Sequence, residues 1–426
     1  MLLAILGVAF LLRGALVLAT PDFVPVADPA DYDRIAGSLI SGHGFGGTAF
    51  AAPGTPSALR PPAYPLLLAS LYELVGHSWT AARLMEALLG TVCVLLVYLL
   101  VREVWGDRAG LVAAGLAAVF PPLIMLNGSL VSESLFLPLE LGALLAVLAW
   151  RRRPRLWLAA LVGLLCGLAM LTRTVGVALL LGVIVGFVTT RRPVRLRLSA
   201  AGTAGVVAIL LIAPWAIRNA ILFDAFVPLS TQGGPTAAGV YNVDAFKPGA
   251  RFYAMWRPPW FVREFRPLFG TTYDEAEIDA RLTRSAERYA VDHPEHVAVA
   301  VGLNTLRLFL EVGRGHTAVA RVWYDEEAVP ARLQPVVSWS ARLASLLALA
   351  TLALAAARRI RLRTGPVFIW ASALLLYASV VPLHGANRYG APLAPFVLIL
   401  VAVGASAIGG RGPCRRSSRG PRPARP

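Results

Sequence analysis

Charge is scarce in this chain. Only 15% of its 426 residues are charged, and Lys247 is the sole lysine. A soluble protein of this length could not hide the 57% of residues that are hydrophobic. With a mean hydropathy of +0.64, the chain reads as a multispan membrane protein. Cysteine is also rare. Cys93 and Cys166 lie in apolar runs and Cys414 in a basic tail, which excludes a disulfide framework and a cysteine-rich zinc pattern. The six histidines form no metal motif. His293-Pro294-Glu295-His296 has the ligand types, but Pro294 interrupts it, and a turn at a helix start is the expectation. No dinucleotide fingerprint, P-loop or nucleophile elbow is present, so no nucleotide cofactor is expected. The net charge of +16 does not imply nucleic acid. Its arginines fall between apolar runs and in the tail, where they act as a topology signal.

The apolar runs predict ten membrane spans, at about 1–20, 79–101, 109–126, 131–150, 156–172, 174–190, 198–217, 336–357, 366–383 and 390–409. The first has no basic residue before it and no convincing cleavage site after it, so it reads as a retained helix. Its abrupt start suggests that a few cytoplasmic residues precede it. Arginine clusters at 102–108, 151–155, 191–197, 358–363 and from Arg411 onward mark one side as cytoplasmic. The other side then carries two long segments, 21–78 and 218–335, rich in acids, aromatics, Pro and Gly. The organisation expected is an N-terminal membrane module (1–217), a second outer loop (218–335), C-terminal spans (336–409) and a basic cytoplasmic tail (410–426).

Within the second loop, 276–291 reads as a polar helix. It feeds 296–312, whose Asn304, Arg307 and Glu311 suit a helix at the interface. Phe226 to Gly234 reads as a strand running into a turn. Gly163-x-x-x-Gly167 and Gly182-x-x-x-Gly186 predict close helix packing. Ser41 to Gly47 reads as a plain flexible turn. Asn127-Gly128-Ser129 matches a glycosylation pattern, but its short loop makes chance the better explanation.

Candidate chemistry gathers at the outer ends of the spans. Asp28, Asp31 and Asp33 follow the first span, and Tyr32 shares a helical face with Asp28. A carboxylate there could take a proton from an attacking hydroxyl, or could simply solvate a helix start. Glu133 opens the fourth span and needs either a partner or a wet cavity. Arg173, Arg218 and Arg388 lie at span ends against the positive-inside trend, which suggests an anionic partner. His384 lies near Arg388. Arg60-Pro61-Pro62-Ala63-Tyr64-Pro65 closes the acidic first outer loop.

Several segments, in order, resemble glycosyltransferase family 39, relatives of the dolichyl-phosphate-mannose–protein mannosyltransferases. They are DPADYDRIA from Asp28, Gly42-His43-Gly44-Phe45, RPPAYPLLLA from Arg60, Ser132-Glu133-Ser134, LTRTVG from Leu171, PWAIRN from Pro214, FVPLSTQGG from Phe226 and RYGAPLAP from Arg388. The resemblance implies an all-α polytopic membrane protein with a GT-C-like bundle. It implies a hexosyltransferase or mannosyltransferase-like enzyme that takes its sugar from a polyprenyl phosphate and inverts the sugar carbon. The acceptor would be an envelope glycan, lipid or protein, met on the extracytoplasmic face of the plasma membrane.

By the Asp-to-Tyr spacing the resemblance assigns the base to Asp28, with Asp31 and Asp33 as substitutes and Glu133 as a further acid. Tyr32, Arg60, Tyr64, Arg173, Arg218, Arg388 and Tyr389 would bind substrate. Many relatives have Asp-Glu where this chain has Asp28-Pro29. The large extra C-terminal portion of some relatives is missing here, which weighs against a protein acceptor. No metal ligand is assigned, and assistance by a divalent cation stays open. The competing reading from another class is a transporter or flippase of a lipid-linked anion. It would use the same arginines but predicts paired halves and broken midplane helices, which the sequence does not show.

Overall fold

Runs of Leu, Val and Ala, bounded by Pro, Gly and Arg, become helices because a bilayer forces backbone groups to bond within their own segment. The computed structural model describes residues 1–48, 54–249, 253–269, 274–310, 333–360, 362–385 and 387–409. Glu311, Arg361, Arg411 and Cys414 lie outside them. The α-helices are α1 (Leu2–Ala19), α2 (Asp28–Ile40), α3 (Ala63–Val75), α4 (Trp79–Trp105), α5 (Asp107–Val119), α6 (Pro121–Leu126), α7 (Glu133–Arg152), α8 (Leu156–Thr172), α9 (Gly176–Val188), α10 (Val194–Phe223), α11 (Gly233–Val240), α12 (Glu275–Asp292), α13 (Pro294–Leu310), α14 (Gln334–Ala356), α15 (Val367–Val380) and α16 (Ala394–Gly409). The expected polar helix at 276–291 is α12.

Six described helices are long and apolar enough to cross a membrane: α1, α4, α7, α10, α14 and the segment Arg388–Ile408 that takes in most of α16. The expected spans at 156–172, 174–190 and 366–383 are the shorter apolar helices α8, α9 and α15. The expected span 109–126 is two helices. Phe120 is extended ahead of Pro121-Pro122, because a residue before proline is pushed out of the helical region.

Small residues set the packing. A Cβ on Gly163 would lie 2.4 Å from Ala204 O on α10, and one on Gly167 would lie 3.2 Å from Ala208 Cα. On α9, a Cβ on Gly182 would meet Ser372 Oγ of α15 at 2.3 Å. Both small-residue motifs are therefore packing faces. Gly163→Ala should destabilise the protein by about 1–3 kcal/mol, since the obstacle is backbone. Gly202→Ala, with nothing within 4 Å of its Cβ, should be neutral. Thermal unfolding of the two variants in detergent checks this.

The arginine clusters gather at one end of the bundle. Arg192 donates to the carbonyls of Arg151 and Arg152, Arg197 to Val188 O, and Trp105 to Arg363 O. Arg152 pairs with Glu103. Since α7 ends at Arg152 and begins at Glu133, Glu133 stands about 30 Å away, at the opposite end. That end is capped by α2, α3 and the layer α11–α13, which has its own core of Val240, Phe246, Phe265, Ile278 and Leu282.

Two expectations change here. Phe226 to Gln232 is not a strand. Trp215 donates to Leu229 O (2.8 Å), Asn219 to Val227 O (2.9 Å), and Thr231 N to Ala58 O (3.0 Å), so this backbone needs no neighbouring strand. α11 begins at Gly233. Nor do Asn304 and Arg307 of α13 face an interface. Both are buried, with Asn304 bonding Val381 O and Arg307 bonding the carbonyls of Tyr253 and Ala254.

Candidate active site

Asp28 opens α2 behind a strained residue. Ala27 has φ 54°, a region that L-residues rarely adopt, and such strain clusters at functional sites. Pro29 follows in the first turn, where its fixed φ suits a helix start. The departure from Asp-Glu thus leaves Asp28 at the helix mouth. Tyr32, one turn on, donates to or accepts from Ser132 Oγ at 3.0 Å.

The RPPAYP segment supplies the first cation. Arg60 bonds Asp28 Oδ1 and reaches Asp31 Oδ2 at 2.8 Å. Arg34 holds the other Asp31 oxygen at 2.6 Å. Arg388 supplies the second. Its Nε and Nη2 fork onto Glu133 at 2.5 and 3.1 Å, and its Nη1 reaches Asp28 Oδ2 at 3.0 Å. Arg173, the residue that ends α8, lies 2.8 Å from Glu133 Oε1 and 3.0 Å from Ser132 Oγ. Its Nε is buried with no partner among the described residues. Three carboxylates, two on α2 and one on α7, thus interlock with four guanidiniums.

A cavity of about 210 Å³ opens beside this network. Asp28, Tyr32, Arg60, Arg173 and Tyr389 line it, with Ser132 and His384. The hydroxyl and amide side chains of Thr174, Ser230, Gln232, Thr236 and Ser379 complete a polar wall. Glu133 is fully buried behind Ser132, and Asp31 is buried behind Arg60. Asp33 lies elsewhere, bonded to Tyr72 (2.7 Å) and His77 (2.9 Å).

Two residues expected at the site point elsewhere. Tyr64 donates to Glu86 at 2.6 Å and packs edge-on against Tyr32. Arg218 stacks on Trp215 and donates to Ser57 O and Phe45 O at 3.0 Å, so it fixes the first outer loop. An arginine at a span end can satisfy itself on loop carbonyls as well as on an anion. Asn127 is buried and accepts from Arg13 at 2.9 Å, consistent with a chance glycosylation match. Ser41 to Gly47 is a turn, with positive φ at Gly42, Gly44 and Gly47.

Sequence reading missed the supports. Glu86, fully buried, accepts the backbone amides of Leu130 and Val131 at 2.8 and 2.7 Å and so fixes the loop that presents Ser132 and Glu133. Arg83 holds Gly128 O and Thr20 O. Both carry a recognisable signal, since a charge inside an apolar span needs a reason. Glu275 clamps two distant segments together through Ser57 Oγ (2.8 Å), Ala58 N (2.9 Å) and Thr231 Oγ1.

Electrostatics follow from the geometry. Burial alone would raise the Asp28 carboxyl, but Arg60, Arg388 and Arg173 together hold it below its ordinary 3.8. His384 stacks flat on Tyr389, with ring centroids 3.7 Å apart. Burial, aided by Arg173 and Arg388, pushes its imidazole down to about 3 from 6.5. The folded state therefore favours neutral His384, while the unfolded chain binds its proton below 6.5. The stability from this residue is complete above 6.5 and falls as pH drops towards 3. Asp28 acts in the same direction, but only below its ordinary 3.8. Thermal midpoints measured from pH 7 down to about 4 should fall, and His384→Gln should flatten the decline.

Residues 59–217 match the sequence profile of the family described as dolichyl-phosphate-mannose-protein mannosyltransferase. A comparison with curated protein sequences finds no match. Among solved structures, the chain is similar to the Archaeoglobus fulgidus oligosaccharyltransferase complexed with Zn and sulfate. The TM-score is 0.54 at 17% identity, over 95% of this chain and 49% of that one. The same protein, AglB, with an inhibitory peptide and a dolichol-phosphate, gives 0.55 at 16%, over 96% and 50%. ArnT from Cupriavidus metallidurans bound to undecaprenyl phosphate gives 0.47 at 15%, over 96% and 77%. The chain spans about half the length of the oligosaccharyltransferase chains. The fold is an all-helical membrane bundle of the GT-C type.

Proposed function

We propose that this chain is an integral-membrane inverting glycosyltransferase. It moves a sugar from a polyprenyl phosphate to an envelope acceptor on the extracytoplasmic face, in the plasma membrane. The observation that carries the reading is the shared cavity. An ionised carboxylate, Asp28, and a guanidinium, Arg173, face one polar hollow at the bundle end remote from the arginine clusters. By the positive-inside rule that end is extracytoplasmic. The matched family and the dolichol-phosphate bound by AglB support the donor class.

In this reading the acceptor hydroxyl attacks the anomeric carbon as the bond to the phosphate oxygen breaks. Asp28 takes the hydroxyl proton. A carboxylate with a lowered pKa suffices, because the hydroxyl becomes acidic as it bonds to an electron-poor carbon. The lipid phosphate leaves as an anion towards Arg173. A preorganised contact of that kind is worth about 3 kcal/mol. Arg60 and Arg388 each bridge two carboxylates, whereas Arg173 pairs with Glu133, so the first two serve to orient Asp28 and Glu133. The same pairing means that Asp28, Asp31 and Glu133 present their oxygens to guanidiniums and do not fit a metal ion.

A greasy groove supplies room for the tail. A cavity of about 450 Å³ lies among α13, α14, α15 and α16, lined by Leu306, Phe309, Leu352, Trp370 and Phe396. Phe309, Ser345, Leu393 and Val397 also line a smaller hollow that reaches Arg388. A prenyl chain in the groove would carry its phosphate towards the network.

Deletion of the gene should remove a hexose-containing species from the envelope glycans, read by mass spectrometry. Wild-type plasmid should restore it, and Arg173→Ala should restore it at least about a hundredfold less efficiently. An unchanged glycan profile on deletion would overturn the proposal. Flux of lipid-linked sugar in liposomes without any acceptor would favour a flippase.

A further inference from the structure

The elbow between α12 and α13 carries a cluster that the transfer reaction does not use. His293 caps α12 just after its last residue, Pro294 starts α13, and Glu295 and His296 follow. Pro294, which interrupts the motif in sequence, folds it together, since its fixed φ suits a first helical position. Each of the three side chains offers a ligand atom within 4.8 Å of the other two. Among the described residues no other group of His, Cys, Asp and Glu converges in this way. The donors are reachable, with the His293 and Glu295 side chains 44% and 64% exposed.

The cluster is also partly held in place. His296 stacks on buried Phe246, with centroids 4.2 Å apart, and its Nδ1 is 2.9 Å from Tyr289 Oη. A hydrogen bond of this kind fixes the ring and its tautomer, as the outer partners of metal-binding histidines do. His293 Nδ1 lies 3.3 Å from Glu295 Oε1. A cation at a helix start opposes the helix dipole, and the Glu295 carboxylate offsets that. Two imidazoles and one carboxylate suit zinc and its neighbours, whereas magnesium prefers oxygen donors.

We propose that His293, Glu295 and His296 form a site for a divalent transition metal, zinc by its donor set, which braces this elbow. The elbow joins two clamps. α12 starts at Glu275, which ties two distant segments together, and α13 carries Asn304, which bonds Val381 O near the Arg388 segment. A metal here would stiffen the link between them.

The test is calorimetric titration of tag-free, detergent-purified full chain with zinc and, separately, with magnesium. The expected result is saturable binding of one zinc per chain and no response to magnesium. His293→Ala and Glu295→Gln, both at exposed positions, should weaken zinc binding by at least about tenfold, the loss seen for even an outer partner. Zinc should raise the thermal midpoint of the wild type and not of these variants. The absence of saturable binding, or variants that bind as the wild type does, would overturn the proposal. The outcome is independent of the sugar-transfer reading.

Discussion

Asp28→Asn should lower the turnover of the proposed sugar transfer by about 10²–10⁴-fold, the range for loss of a general base, and leave lipid-phosphate binding intact. The substitution keeps one oxygen acceptor, enough for Arg60 or Arg388 but not both, and turns an NH2 to the other. Asp31 and Glu133 still hold those two arginines, so the cavity wall should keep its shape. What it removes is negative charge and proton affinity. Loss of that charge makes the cavity more positive, so a polyprenyl-phosphate probe should bind as tightly as before or more tightly. The signature is a fall in kcat without a rise in KM. Asp31→Asn is the comparison. Asp31 is buried behind Arg60 and shared with Arg34, so it cannot reach an acceptor in the cavity. Its loss should disturb Arg60 and lower turnover far less. Asp28→Asn turnover within tenfold of wild type, in a monodisperse preparation, would remove Asp28 from the chemistry.

Part of this site was legible before any coordinates. The spacing of Asp28 and Tyr32 placed both on one helical face, and both line the cavity. Arg173 and Arg388 stood out because cations at those span ends break the topology rule, and both reach carboxylates. Membrane helices were readable from composition, though the break at Phe120 shows that proline can split an apolar run. Arg218 obeyed the same rule as Arg173 and still turned away. Its partners are the carbonyls of Phe45 and Ser57, and no local pattern marks which distant backbone will need donors. Glu275 was hidden for a related reason. It lies in a polar helix among exposed acids, and only tertiary closure shows that it grips Ser57 and Thr231. Glu86 differs, because an acid inside an apolar span was a visible signal. Its role as a loop anchor depends on two amides, at Leu130 and Val131, that any residue could supply.

Arg388→Ala should damage both folding and transfer. Arg388 is 5% exposed and ties its segment to α2 through Asp28 and to α7 through Glu133. Removing one partner of a buried pair leaves a carboxylate without full compensation, at a cost of about 3–5 kcal/mol. Arg60 still holds Asp28 and Arg173 still holds Glu133, so the lower end of that range applies. Arg388→Lys separates charge from geometry. A single ammonium can neutralise but cannot fork onto Glu133 while reaching Asp28. It should recover much of the lost stability and little of the turnover. The double variant Arg388→Ala with Glu133→Gln completes the argument. If the two residues act as a pair, neutralising Glu133 relieves the charge stranded by Arg388→Ala. The double variant then unfolds at a higher temperature than Arg388→Ala alone, yet stays inactive because Arg60 alone is left to orient Asp28. Strict additivity of the two single effects would mean that the fork onto Glu133 contributes nothing, and that Arg388 serves only Asp28.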